Sequence, residues 1–384
     1  MKEEHIHPLS RQAGVLALGH FVSDLYPAFL PPLLPLLIDK HHLSFTRASV
    51  LAMVMSFSAS LTQPVFGYLS DKVGGRRMIV FGPVVAGVSL SLMGLVPLYS
   101  LLVILLIVGG LGVASFHPEA AALAASFSGR RRNLGMSIFM LGGNLGYGLG
   151  PFLILTITVG LGLEWSFLAA LPALGMAWGL SQYVPLPEKH PATPSSGKKF
   201  RLASIQTLPR FVVLLGVVVL RVTAALSLIT FLPMVQKLRG FSLVAAGSSF
   251  TVFMACAALG GITGGYWSDR LGRRRILMAS FIIIVPALLA FLYFKGGMSF
   301  IFLALLGFLF FLSEPACIVM AQEMAPENAR TASGIIMGMA WGMAGLGVLG
   351  TGALADLVGI ERAVAYLLPL PIGAFLLTLF LPRD

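Results

Sequence analysis

The chain has 384 residues, of which 57% are hydrophobic and 11% charged, and its mean hydropathy is +0.91. A water-soluble domain carries about 25% charged residues, so a soluble fold is excluded: it could not hide this much apolar surface. The formal charge of +11 does not imply nucleic acid, and no nucleic-acid partner is expected, because the meaning of a basic balance depends on where the basic residues fall.

The N-terminus, Met1-Lys-Glu-Glu-His-Ile-His-Pro, is polar. The apolar run after it contains Asp24 and is long, which fits a membrane span better than a cleaved signal peptide. A span needs about 20 mostly apolar residues. Runs of that size are predicted at 12–38, 46–69, 78–97, 100–125, 134–158 and 163–184, then at 211–235, 243–267, 275–294, 298–322, 332–355 and 363–382. The sequence therefore reads as an all-α polytopic membrane protein with twelve transmembrane helices. Turns such as Val96-Pro97-Leu98-Tyr99-Ser100 are short, so neighbouring spans are antiparallel hairpins. Residues 185–209 break the pattern with Pro185, Pro187, Pro191, Pro194, Ser195, Ser196, Gly197, Lys198 and Lys199, a polar, proline-rich linker. It divides the chain into a first six-helix bundle (1–184), a cytoplasmic linker (185–209) and a second six-helix bundle (210–384).

With the N-terminus placed in the cytoplasm, most of the 26 lysines and arginines fall in cytoplasmic segments, among them Arg76, Arg77, Arg130, Arg131, Arg132, Arg273, Arg274 and Arg275. That asymmetry predicts both termini inside, with the lipid bilayer and its anionic headgroups as the partner of the basic charge. Cys256 and Cys317 both lie in apolar runs. They give no disulfide framework or metal-ligand spacing, and no metal or cofactor is expected.

A charged turn occurs twice, about half the chain apart. Gly67-Tyr-Leu-Ser-Asp71-Lys-Val-Gly-Gly-Arg76-Arg77 joins spans 2 and 3. Gly265-Tyr-Trp-Ser-Asp269-Arg-Leu-Gly-Arg273-Arg274-Arg275 joins spans 8 and 9. Gly67 and Gly265 lack a Cβ and admit close helix approach. Asp71 and Asp269 sit where they can accept from a helix N-terminus or pair with an arginine. Phe29-Leu30-Pro31 is likewise echoed by Phe231-Leu232-Pro233.

Ionisable residues at membrane depth are few: His20 and Asp24 in span 1, His117 and Glu119 in span 4, Arg221 in span 7 and Glu314 in span 10, with Glu323 and Asp356 nearer span ends. Such groups are expensive in hydrocarbon and face the bundle interior. His20 and Asp24, at i and i+4, share a helical face, and an Asp–His pair can hold or relay a proton. His117 and Glu119 flank Pro118. On a regular helix they would diverge, but the proline is expected to bend the backbone and free a carbonyl. Asp24, Glu119, His20 and His117 are the expected proton-coupling residues. Arg221 offers a cationic fork to an anionic group, and Asn144, Tyr26 and Glu314 are further expected substrate contacts. In span 5, Gly142, Gly146 and Gly150-Pro151 form a stripe for tight helix contact.

The paired turns resemble the signature loop of the major facilitator superfamily, and twelve spans in two parallel halves resemble its architecture. The first copy departs from the pattern at Gly75, where a basic residue is common. The resemblance implies that Gly67, Asp71, Arg76, Arg77, Gly265, Asp269, Arg273 and Arg274 belong to gating loops that do not bind substrate. A narrower resemblance is carried by Gly19-His20-Phe21, Asp24-Leu-Tyr26, Phe29-Leu30-Pro31-Pro32, Gln63-Pro64, Phe116-His117-Pro118-Glu119, Ser128-Gly129-Arg130-Arg131-Arg132 and Gly142-Gly143-Asn144-Leu-Gly146. This set is similar to the fosmidomycin resistance protein family. It implies a proton-driven antiporter of the bacterial inner membrane that exports a drug, such as a phosphonate antibiotic.

The chain is therefore read as a secondary transporter of a small molecule, coupled to protons and working as a monomer. A proton-coupled importer of a nutrient or metabolite is the alternative with the same architecture. No phosphate-binding Gly-x-x-x-x-Gly-Lys-Ser/Thr loop occurs, so ATP drive is not expected. A membrane-embedded enzyme would need a second zinc-spaced histidine or an activated serine motif, and neither accompanies His117 and Glu119.

Overall fold

A computed structural model describes residues 10–73, 75–128, 132–184, 207–326 and 329–382. The linker residues 185–206, Arg130 and Arg131, and the side chains of Asp71, Arg76 and Arg132 lie outside the described part. Among the described residues all regular structure is helical, as backbone in hydrocarbon requires, since each N–H and C=O must be satisfied within its own segment.

Twelve helical segments are long and apolar enough to cross a bilayer. They are span 1 (Arg11–His41), span 2 (Phe45–Ser70), span 3 (Arg77–Gly94), span 4 (Tyr99–Ala124), span 5 (Ile138–Gly160) and span 6 (Leu163–Tyr183), then span 7 (Leu208–Leu238), span 8 (Leu243–Leu271), span 9 (Arg273–Tyr293), span 10 (Met298–Met324), span 11 (Ala332–Val358) and span 12 (Ile360–Thr378). Each contains most of one segment expected from the sequence. Serines placed before apolar runs start three of them: Ser10, Ser44 and Ser242 accept from the backbone N–H of Ala13, Arg47 and Ala245, which satisfies one orphan donor per helix. Gly272, at φ +95°, turns the chain in a single residue between spans 8 and 9, a conformation only glycine adopts without strain.

Several spans are irregular inside the membrane. Pro27 starts a 3-10 turn, Pro27–Phe29, in span 1. Span 10 is broken at Ser313, just before Glu314-Pro315. Spans 2 and 11 each contain a π-helical turn, Phe57–Leu61 and Ile335–Met339, and the two turns touch. Span 4 behaves otherwise than expected. Its helix, Tyr99–Phe127, runs unbroken through Pro118, so His117 and Glu119 diverge as they would on a regular helix.

The packing repeats. Span 1 lies on spans 4, 5 and 6, and span 7 on spans 10, 11 and 12; span 3 lies on 4 and 6, and span 9 on 10 and 12; span 2 lies on 4, and span 8 on 10. Each of these contacts in the first six spans recurs six spans later, as in two pseudo-symmetric six-helix bundles. They meet along spans 2 and 11, 5 and 8, and 1 and 7. The glycine stripe of span 5 lies on span 1, where Cβ atoms at Gly142, Gly146 and Gly150 would run into the carbonyl oxygens of Ala17, Phe21 and Leu25.

The bundles are also tied at the end of the molecule remote from the termini. The Asp356 carboxylate, at the end of span 11, accepts from Phe45 N–H at 2.6 Å, Thr46 N–H at 2.9 Å and Thr46 Oγ1 at 2.5 Å. It thus occupies the N-terminus of span 2, where orphan donors and the helix dipole favour an anion. Lys237 pairs with Asp39 at 2.8 Å between spans 7 and 1. Deeper in, Ser56 Oγ donates to the Trp341 carbonyl at 2.7 Å, and Tyr147 meets Phe250 with ring centroids 5.4 Å apart.

Candidate functional site

Three spans of the first bundle converge on one carboxylate. Asp24 lies on span 1, one helical turn beyond His20. His117 reaches it from span 4. Span 5 passes close by because Gly143 has no side chain: a Cβ there would strike the His20 ring and lie 2.8 Å from Asp24 Oδ2. The His20 Nε2 is 3.2 Å from Asp24 Oδ2, and the His117 Nε2 is 3.0 Å from Asp24 Oδ1. The imidazoles meet edge to face at 4.9 Å, and His20 stacks on Phe139 at 4.1 Å. His20 is 4% exposed.

The other nitrogen of each ring fixes the chemistry. His20 Nδ1 lies 2.7 Å from the Phe139 carbonyl oxygen, and His117 Nδ1 lies 2.7 Å from that of Val113. A carbonyl only accepts, so both Nδ1 atoms carry hydrogen. In a neutral imidazole the Nε2 is then a bare lone pair, and the carboxylate oxygens opposite are lone pairs too. Separations of 3.0 and 3.2 Å between them are attractive only with a proton in the gap. Each of the two gaps would need a proton of its own to be attractive. These three groups are also the set among the described residues whose ligand atoms lie within 4.8 Å of one another.

Glu119 does not join the cluster. It is buried and accepts from Ser70 Oγ at 2.5 Å, at the end of span 2. Its carboxyl lies against Gly75, where any Cβ would overlap it. The departure from the family pattern at Gly75 therefore makes room for an acid. In the second bundle the corresponding position is Arg273, which makes an ion pair with Glu323 of span 10. The loops are otherwise alike: a Cβ on Gly67 would sit 3.8 Å from Pro118, and one on Gly265 3.8 Å from Pro315. Arg274 Nη2 donates to the Leu379 carbonyl at 2.8 Å. Arg77 and Asp269 are exposed.

The second bundle has a pair too, between its first and fourth helices. Arg221 of span 7 is 3% exposed. Its Nη1 donates to the Phe310 carbonyl at 2.8 Å, and its Nη2 is 3.6 Å from Glu314 Oε1 of span 10. Glu314 immediately precedes Pro315 as His117 immediately precedes Pro118. Phe310 stands four residues before Glu314, as Val113 stands four before His117. The same backbone frame therefore carries a base facing an acid in one bundle and an acid facing a base in the other.

Two expected substrate contacts lie elsewhere. Tyr26 is fully buried, with its ring 5.2 Å from Phe29 and close to Gly87 of span 3. Asn144 is exposed on span 5. The features that sequence reasoning missed are the carbonyls of Phe139 and Val113, which no residue type reveals, and the space at Gly143. The glycine was visible in Gly142-Gly143-Asn144, but its partner was not.

A twelve-helix membrane protein in two pseudo-symmetric bundles, with buried ionisable pairs between its inner helices, is the architecture of a secondary transporter. The model of the Major Facilitator Superfamily matches residues 16–348, and the chain belongs to that family, one of transporters and not of enzymes. Among its relatives, the fosmidomycin resistance protein of Escherichia coli is 29% identical over 97% of this chain and 92% of its own length. An uncharacterised transporter of the same type from Bacillus subtilis is 29% identical over 94% of this chain and 91% of its own. Among solved structures, a bacterial homologue of the human lysosomal transporter Spinster, inward-facing and occupied, superposes with a TM-score of 0.80 at 15% identity, covering 96% of this chain and 95% of that one.

Proposed function

We propose that the protein is a proton-coupled antiporter that exports a small anionic drug or metabolite, such as a phosphonate, by alternating access. The observation that carries this reading is the His20–Asp24–His117 cluster, whose Nδ1 atoms are both committed to carbonyls, so that its contacts require a proton. Loss of that proton leaves lone pairs facing one another and loosens span 4 from span 1. Regaining it draws them together. A titratable cluster that bridges spans 1, 4 and 5 thereby links protonation to the packing of one bundle. Arg221 supplies the cationic fork for the anion, with Glu314 beside it. Asn144 lies on the exposed face of the same span as Gly143. Glu119, held by Ser70, links the cluster's span 4 to the turn between spans 2 and 3 and so connects proton occupancy to the gating loops.

In this reading the bundles are residues 1–184 and 210–384, joined by the linker 185–209, and they rock about their shared interface. The protein works as a monomer in the inner membrane of a bacterium, with both termini in the cytoplasm, as the lysine and arginine asymmetry supports. The test is solute flux in proteoliposomes with an imposed pH difference. Wild-type protein drives solute out of the acid-free compartment against its gradient when the opposite side is acidic. Asp24→Asn retains solute exchange but loses the response to pH. Flux that is unchanged in Asp24→Asn overturns the assignment, and solute moving with the protons identifies an importer instead.

A further inference from the structure

Two arginines, one in the middle of span 7 and one just past its end, have side chains buried to the same degree and are treated differently. Arg239, just past span 7, is saturated: Nε donates to Glu361 Oε1 at 2.8 Å, Nη1 to the Phe291 carbonyl at 3.0 Å and Nη2 to the Leu292 carbonyl at 3.4 Å, with the Phe291 ring centroid 4.6 Å from its Cζ. That is how a guanidinium is held when its task is structural. Arg221 has one such bond, from Nη1 to Phe310. Its Nε is buried and has no hydrogen-bond partner. Its Nη2 faces Glu314 at 3.6 Å, beyond hydrogen-bond length. The edge formed by Nε and Nη2 is the one that receives two oxygens of a planar or tetrahedral oxyanion side by side. At Arg221 that edge holds only a carboxylate standing off it. Buried charged donors are normally satisfied, so an empty edge of this shape is a ligand's place.

Glu314 can withdraw. It is a quarter exposed on its side chain while Arg221 is sealed, and it begins a new helical segment after the break at Ser313, so no continuous helix pins it to the preceding turn. We propose that Glu314 is a resident counter-ion of Arg221 that an anionic solute displaces: the solute's phosphonate, carboxylate or sulfonate takes the Nε–Nη2 edge, and the Glu314 carboxylate leaves it. This rests on the reading of Arg221 as the anion-binding residue and adds the competitor. Its consequence is specificity. A neutral solute leaves the pair closed, and an anion with two coplanar oxygens opens it.

The test is direct binding of three probes, fosmidomycin, methylphosphonate and inorganic phosphate, to full-length protein purified in detergent. With its competitor neutralised, Glu314→Gln binds the phosphonates about fivefold more tightly than wild type, the scale of a partly exposed ion pair. Glu314→Asp, one methylene shorter, shifts in the same direction by less. Arg221→Lys keeps the charge but lacks the paired edge, and it binds about tenfold more weakly, the loss of one charge-assisted hydrogen bond. Glu314→Gln also melts earlier than wild type without ligand, and phosphonate raises its melting temperature by more than it raises the wild type's. If both Glu314 variants bind as wild type or more weakly while Arg221→Gln abolishes binding, Glu314 is no competitor and only the anion site stands. If Arg221→Gln binds as well as wild type, or wild type binds none of the three probes, the anion site itself falls and the competitor with it.

Discussion

In the first bundle the acid sits on the first helix and its base on the fourth; in the second bundle the base sits on the first helix and the acid on the fourth. Asp24 and His117 are 3.0 Å apart, and Arg221 and Glu314 are 3.6 Å apart. The frame around each pair is alike at the fourth helix: a proline directly after its residue, a carbonyl one turn earlier that accepts a side-chain hydrogen, and a glycine near the end of the second helix of the bundle on which a Cβ would sit 3.8 Å from the proline. Backbone features have survived in both copies while the side chains have taken opposite signs. The tight pair stands at hydrogen-bond length, and the loose one leaves a guanidinium edge without a hydrogen bond. The matched position of the fourth helix thus carries a base in one bundle and an acid in the other.

The contrast breaks most completely at Asp24. In Asp24→Asn the gradient-driven part of the flux disappears while anion binding at Arg221 persists, which separate flux and binding measurements reveal; joint loss would mean that the two sites are one. Gly143→Ala comes next. The added methyl has to displace the His20 ring, and overpacking of this kind costs about 1–3 kcal/mol. Lower thermal stability and a flattened dependence of flux on pH are expected, and an unchanged pH profile would show that span 5 does not press on the cluster. Asp356→Ala removes three hydrogen bonds from the start of span 2, a capping loss of about 0.5–2 kcal/mol. It opens the end remote from the termini, which labelling of a cysteine placed at the span 2–span 11 contact reports as faster reaction. Lys237→Met removes an exposed pair worth at most about 1 kcal/mol, so its labelling rate should stay near that of the parent.

The spans were legible because hydrocarbon demands long apolar helices and little else satisfies it. The paired loops were legible because glycine, aspartate and arginine recur in register. The family was legible from the same motifs. Within the site, His20, Asp24 and His117 were found as rare charges at depth. What joined them was hidden: the acceptors are carbonyls of Phe139 and Val113, and a carbonyl has no letter. Glu119 was grouped with His117 on the strength of Pro118, but a helix that continues through its proline turns the two residues apart, and Ser70 takes the acid. Tyr26 is expected as a substrate contact from its place beside Asp24; what the letters do not show is that its ring is buried against Phe29 and close to Gly87. The π-helical turns of spans 2 and 11 arise from shifts in backbone pairing that side-chain periodicity does not report.

The glycines of span 5 set a mechanical limit. Three successive turns rest directly on the peptide oxygens of span 1, so neither helix can slide or roll on the other without losing all three seats at once. The two helices behave as one stiff beam, and the strain of each cycle must be absorbed by the parts of the molecule that lack such seating.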